Sequence, residues 1–328
     1  MAGSASNWLK QSVMALILLA LCVVLAFKAP NFSSGENLLG VLRNVSFQGI
    51  IAFGMTMVII AGEIDLSVGS AIAFSGCLAA WLTGAMAGSK DCAQAPASVA
   101  VVMLAMAASV ATGFAIGCLN GFLRMRFRVP TFIATLAWMT IFGGAAKLIT
   151  NGFPLSPFPE WYSFFGSGYV LGIPFPAILF LLTFAIIQFL MSYTTFGRAI
   201  YAVGGNAEAA RLSGINVRLI KILVMGIVAG LAAFSGILQS SQIMSGSSSS
   251  GTGWELDVIS AVIIGGTSLM GGAGTIWGTL IGVIFLGVLS NGMTLMNITE
   301  YWQLVVKGAL ILGAVLINQA PSSRSQAQ

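Results

Sequence analysis

Apolar runs of roughly twenty residues recur from one end of this chain to the other, and most charges fall between them. A helix needs about 20 apolar residues to cross a hydrocarbon core of ~30 Å. Only helices and closed barrels satisfy their own backbone hydrogen bonds there. Ten such runs lie near residues 12–27, 44–61, 68–87, 98–123, 130–149, 173–193, 222–243, 255–270, 275–290 and 302–318. Only 7% of the 328 residues are charged, against about 25% in a soluble domain, so an ordinary water-facing surface is excluded. The sequence predicts one all-α integral membrane unit, residues 1–328, of about ten transmembrane helices. The run after Lys10 is read as a retained first helix, because no small-residue cleavage site precedes Lys28 and further spans follow.

Ten crossings that start inside place Lys10, Arg124, Arg126, Arg128, Arg198, Arg211, Arg218, Lys221 and Arg324 in the cytoplasm. The opposite side receives Lys28, Arg43, Lys90 and Lys147, and Lys307 falls within the last span. Nine against four sets both termini inside. The same placement argues against nucleic acid as a partner, since the cations sit in short loops where they orient spans. The longest polar-tolerant interval between two apolar runs is 196–221. It holds four cations and one acid, Glu208, and reads as a cytoplasmic docking loop for a separate soluble engine. Within it, Asn206 is a good N-cap and Gly214 a good residue to follow a helix end, so a short helix between them is expected.

Two distant segments look alike. Gly62-Glu63-Ile64-Asp65-Leu66-Ser67-Val68 and Trp254-Glu255-Leu256-Asp257-Val258-Ile259-Ser260 each place Glu-x-Asp at the mouth of an apolar run. Each is followed by a matching pair, Leu119-Asn120-Gly121 and Ser290-Asn291-Gly292. The offset is five helices, an odd number, so spans 2–5 and 7–10 form an inverted repeat, an architecture that puts a transport path at the repeat interface. Glu63 and Asp65 are then expected at the cytoplasmic mouth and Glu255 and Asp257 at the external one, as helix-capping acids rather than ion-coupling ones. The runs at 255–270 and 275–290 reach only about 24 Å at 1.5 Å per residue, and are expected to be buried around the path. Polar or aromatic groups available to a path are Asn44, Gln48, Asn120, Thr135, Trp138, Gln239, Asn291 and Gln303.

Chemistry is sparse. There is no histidine, no CxxC pair among Cys22, Cys77, Cys92 and Cys118, and no phosphate-binding GxxxxGK[ST]. No catalytic residue, metal site or cofactor site is therefore expected, and any ATP would be hydrolysed by another subunit. Residues 151–172, with Pro154, Pro157 and Pro159 and then Trp161, Tyr162, Phe164, Phe165 and Tyr169, read as an external interfacial segment, and the stretch 245–253 as a flexible turn.

Three ordered blocks carry a resemblance to a known family. They are Gly62 to Ser70; Phe196-Gly197-Arg198 with Tyr201-Ala202-Val203-Gly204-Gly205-Asn206 and Arg211-Leu212-Ser213-Gly214-Ile215; and Glu255 to Ser268. Together they resemble the membrane permeases of ribose-type ABC sugar importers over about residues 29–318. The chain departs from the usual first block in carrying Glu63. The resemblance implies a bacterial inner-membrane subunit paired with a second copy or paralogue. It further implies a cytoplasmic ATPase that binds ATP and Mg, a periplasmic sugar-binding protein, and docking of the ATPase on Asn206, Glu208, Ala209, Ala210 and Gly214. The alternative that the residues leave open is an ion-coupled secondary transporter of a small polar solute, using Glu63, Asp65, Glu255 and Asp257.

Overall fold

The computed structural model describes residues 2–88 and 97–319. Lys90, Cys92 and Arg324 lie outside the described residues. The first helices are α1 Ala2–Lys28, α2 Gly35–Ile60, α3 Val68–Ala87, α4 Val99–Phe127 and α5 Thr131–Thr150. A short α6, Phe164–Ser167, and a two-stranded hairpin, β1 Tyr169–Val170 with β2 Ile173–Pro174, lead into α7 Phe175–Tyr193. Two short helices follow, α8 Thr195–Gly205 and α9 Ala207–Leu212. The chain then runs through α10 Val217–Ile243, α11 Trp254–Ile264, α12 Ile276–Leu295 and α13 Glu300–Gln319. Each apolar run falls on a helix, the 255–270 run only over its first part. Among the described residues, seven helices are long and apolar enough to cross a membrane: α2, α3, α4, α5, α7, α10 and α12.

Side-chain caps set several starts. Ser34, Ser98, Asn216 and Thr275 accept backbone N–H bonds at α2, α4, α10 and α12, the preferred N-cap chemistry. Helix α10 is the central post, packed on α2, α3 and α4. Small residues allow that approach, as in membrane helix pairs generally. A methyl group on Gly117 of α4 would lie 2.5 Å from the Met225 carbonyl and 2.6 Å from the Ala229 Cβ. On α10 itself, a Cβ at Gly236 would meet the Ile72 carbonyl at 2.5 Å.

The heights of these contacts show where the chain leaves the helical state. Glu63 pairs with Lys221, near the start of α10, whereas Ile72, one turn into α3, abuts Gly236 in its last third. Residues 61–67 therefore climb through the interior as non-helical backbone, with Glu63, Asp65 and Ser67 all buried. Such backbone is tolerated at membrane depth only inside protein or along a cavity. The second interruption corrects a span: 255–270 is helical only to Ile264. Gly265 packs against the Gly278 carbonyl with room for no side chain, and Gly266 turns out of the helix at φ +86°. Residues 265–275 then return to the end of α2, where the Gly272 N–H donates to the Ile60 carbonyl at 2.8 Å.

Two further expectations change. Helix α12 has 20 residues, roughly 30 Å, so only the 11-residue α11 is short. Residues 151–172 are not simply interfacial: Tyr162 is fully buried, bonded to the Ile237 carbonyl and the Ser240 hydroxyl, and stacked on Phe158. Opposite it, Gly246 exchanges two backbone bonds with Leu155, which orders the serine-rich turn.

The α4–α10 contact yields a direct test. Gly117→Ala should lower stability by about 1–3 kcal/mol through overpacking, while Gly143→Ala, with open space at its Cβ, should be neutral or slightly stabilising. Thermal unfolding of the two variants in detergent checks this. Equal midpoints would contradict the close approach.

Candidate functional site

Three clusters of polar groups stand out in this apolar body. The first is Glu63. Its Oε1 lies 2.5 Å from both Arg124, in the last turn of α4, and Lys221, near the start of α10. Thr131, first residue of α5, donates to its other oxygen. The carboxylate is buried and four elements meet at it. This corrects the capping expectation for Glu63: out of water a carboxylate is held far better by cations than by a helix end. Asp65 does act locally, accepting the Ser67 N–H and hydroxyl on Oδ1 at 2.8 and 2.6 Å, while its buried Oδ2 has no partner among the described residues.

The second cluster is built on α11. Residues two apart on a helix point about 200° away from each other, so Glu255 and Asp257 face opposite ways. Asp257 faces a cavity of about 320 Å³ between α2, α11, α12 and α13. Its Oδ2 accepts from Lys307 Nζ at 3.0 Å and from Gln48 Nε2 at 3.2 Å. Asn44, Gln48 and Asn291, three of the expected path residues, line this cavity. Asn291 is fixed by a reciprocal amide pair with Asn37, at 3.0 and 2.8 Å. Gln303 lies beside it and ties α13 to Thr294 and the Ile298 carbonyl.

Glu255 faces a separate cavity of about 360 Å³ that Lys147, Ser70 and the serine-rich turn also line. Its Oε2 occupies the space that a Cβ on Gly69 would need. The second Glu-x-Asp segment thus sits beside the first turn of α3, four residues beyond Asp65, at a cavity it shares with Lys147 and the serine-rich turn. Two cavities flanking one short, broken helix can each admit a small polar solute. Among the expected path residues, Asn120, Thr135 and Trp138 stay apart on α4 and α5. Asn120 is buried, Thr135 bonds its own helix carbonyl at Thr131, and Trp138 packs on Phe142. Gln239 keeps a buried Oε1 without a partner among the described residues.

The third cluster is the 196–221 segment. Asn206 Oδ1 accepts the N–H groups of Glu208 and Ala209 at 3.0 and 2.9 Å, starting α9. Gly214, at φ +84°, ends it: its N–H bonds to Arg211 and that of Ile215 to Ala210, which closes the helix end. Glu208 and Arg211 form an exposed pair, and the guanidinium's hydrogen bonds and charge hold the Glu208 carboxyl below its usual range. Glu208, Ala209 and Leu212 are exposed, while Ala210 is buried. Beneath them the Gly204 backbone lies against Ile60 and Gly272, and Tyr201 donates to the Gly274 carbonyl at 2.9 Å.

Sequence reasoning missed Arg124, Lys221, Thr131 and Lys307 as members of these sites. A signal existed for Lys307, a cation within an apolar run, which is expensive unless paired.

Comparison with known proteins places this geometry. Residues 37–315 match the family described as branched-chain amino acid transport system / permease component. The ribose import permease protein RbsC of Escherichia coli is 40% identical over 315 residues, 95% of this chain and 94% of that one. Its namesake in Bacillus subtilis is 42% identical over 308 residues, 93% and 92% of the two chains. The L-arabinose ABC transporter permease protein AraH of Azospirillum brasilense is 36% identical over 317 residues, 97% and 90%. No solved structure matches the chain.

Glu63→Gln should leave Arg124 and Lys221 facing each other without a counter-charge. A loss of about 3–5 kcal/mol is expected for breaking a buried pair from one side. Lys221→Gln, which leaves Arg124 on the carboxylate, should cost less. Thermal unfolding in detergent orders the two, and the reverse order would contradict a carboxylate-centred cluster.

Proposed function

We propose, from the premise that this chain belongs to the permease family matched by its residues 37–315, that it is the membrane-spanning permease subunit of an ABC importer of small sugars. The carrying observation is near-full-length likeness to permeases named for ribose and L-arabinose. The subunit is not an enzyme. An ATPase subunit hydrolyses ATP with Mg, and a periplasmic binding protein delivers a ribose-like monosaccharide to a pair of permease chains.

The ion-coupled alternative finds no support. Two of the four carboxylates it would use, Glu63 and Asp257, are already neutralised by Arg124, Lys221 and Lys307.

The proposed topology is ten crossings in the bacterial inner membrane, lying in lipid with both termini cytoplasmic. The nine-to-four bias of cations supports it. So does the Glu63 cluster, since it gathers the end of α4 and the starts of α5 and α10 at one face. The inverted repeat is proposed on the same footing: the corresponding helices α2 and α10 pack closely at Gly54 and Val228, and α3 meets α11 at Gly69 and Glu255.

The ATPase docks on 196–221, with α9 as the lever. Exposed Glu208, Ala209 and Leu212 offer it a surface, and the Gly204 backbone rests directly on the end of α2 and on the loop that follows α11. Gly214→Leu puts a side chain at a positive φ that disfavours it, and Glu208→Arg reverses a charge on the docking face. Each variant should insert and purify normally. Each should lose at least tenfold in sugar uptake, together with its stimulation of the co-purified ATPase. Normal coupled uptake in both would remove the segment from this role.

A further inference from the structure

The cavity between α2, α11, α12 and α13 has a composition that selects among solutes. Its volume of about 320 Å³ lies at the small end of the ~300–1,000 Å³ range of ligand pockets, too small for a peptide or lipid chain. The one carboxylate among its described lining residues, Asp257, is matched by one ammonium, Lys307, so the pair adds no net charge. The remaining polar groups include the side-chain amides of Asn44, Gln48 and Asn291 and the hydroxyl of Ser290. Amides and hydroxyls both donate and accept, as sugar hydroxyls do. Trp254 adds an aromatic surface.

The bonds within the pair are distributed unevenly. Lys307 and Gln48 both donate to Oδ2 of Asp257, and among the described residues Oδ1 takes no hydrogen bond. An ammonium has three donors, and one of those of Lys307 is used here. The cavity therefore holds a spare acceptor beside spare donors. A hydroxyl satisfies both, donating its proton to the carboxylate and accepting from the ammonium. An ionic solute would instead claim one partner and leave the other, partly buried, without its counter-charge, which is unfavourable.

We propose that this cavity is a transit site for a neutral polyhydroxylated solute, whose adjacent hydroxyls insert between Asp257 and Lys307 while Gln48 orients them. The proposal rests on the importer reading and adds a site and a selection rule: neutral sugars pass, their anionic derivatives do not.

The test uses the full-length purified permease in nanodiscs, titrated with D-ribose and with D-ribose 5-phosphate while tryptophan fluorescence is followed. Trp254→Phe removes the local reporter and leaves the other six of the seven tryptophans. Ribose should give a saturable, Trp254-dependent change with a Kd on the order of 1 mM, and ribose 5-phosphate none. Gln48→Ala, which keeps the ion pair, should weaken ribose binding at least fivefold. Asp257→Asn should lose ribose binding and gain ribose 5-phosphate binding, because Lys307 then stands without its carboxylate. A purely structural pair would not produce that exchange of preference.

The proposal is overturned if no Trp254-dependent change appears at about 100 mM ribose, a hundredfold above that Kd. Equal binding of both solutes by the unmodified protein, or unchanged preference in Asp257→Asn, would also overturn it. Ribose uptake by the complete reconstituted transporter separates the two claims. Uptake without a Trp254-dependent signal removes the transit site alone, whereas ribose binding at the site without ATP-driven uptake of any pentose or hexose removes the importer reading.

Discussion

Residues 61–67 leave the helical state inside a body built for lipid, residues 265–275 turn back, partly exposed, to meet the end of α2, and the rest of the structure is arranged around the two. Without water, each freed N–H and C=O must find a partner in the protein. Asp65 supplies one for Ser67, and the Ile60 carbonyl supplies one for Gly272. Glycines at 204, 271 and 272 let three backbones meet at the end of α2 where side chains would hold them apart. The same junction brings the proposed docking segment into direct contact with the end of α2 and with residues 265–275.

Charge placement follows from that arrangement. A carboxylate taken out of water needs a cation as well as hydrogen bonds. Glu63 has two and Asp257 one, drawn from elements distant in sequence. The consequence differs at the two sites. Glu63 clamps four elements together at the cytoplasmic face assigned to it, whereas Asp257 and Lys307 lie along a cavity with amides around them. One is a structural fastening, and the other has spare hydrogen-bonding capacity that a passing solute can use.

Much of the fold was legible because helix signals are local. The ten apolar runs fall on helices, and Asn206 and Gly214 cap α9 through the side-chain and backbone chemistry their positions predict. Asn44, Gln48 and Asn291 could be listed as polar groups in apolar runs, but their meeting at one cavity depends on how α2 packs against α12. The partnership of Lys307 with Asp257 and of Glu63 with Arg124 joins residues that no periodicity relates. Tyr162 was legible as an aromatic near a membrane face, while its burial under α10 rests on Gly166, which could bear no side chain against Gln242. The early end of α11 had a visible sign in Gly265-Gly266, and the length of the apolar run obscured it.

The central claim is that an ATPase, not an ion gradient, drives sugar through this chain. The most direct measurement is uptake of radiolabelled ribose into proteoliposomes that hold the permease with its ATPase and receive the binding protein outside. The account predicts accumulation that requires ATP and the ATPase and persists when proton and sodium gradients are collapsed. Accumulation by the permease alone, driven by an imposed gradient and abolished by an ionophore, would contradict it.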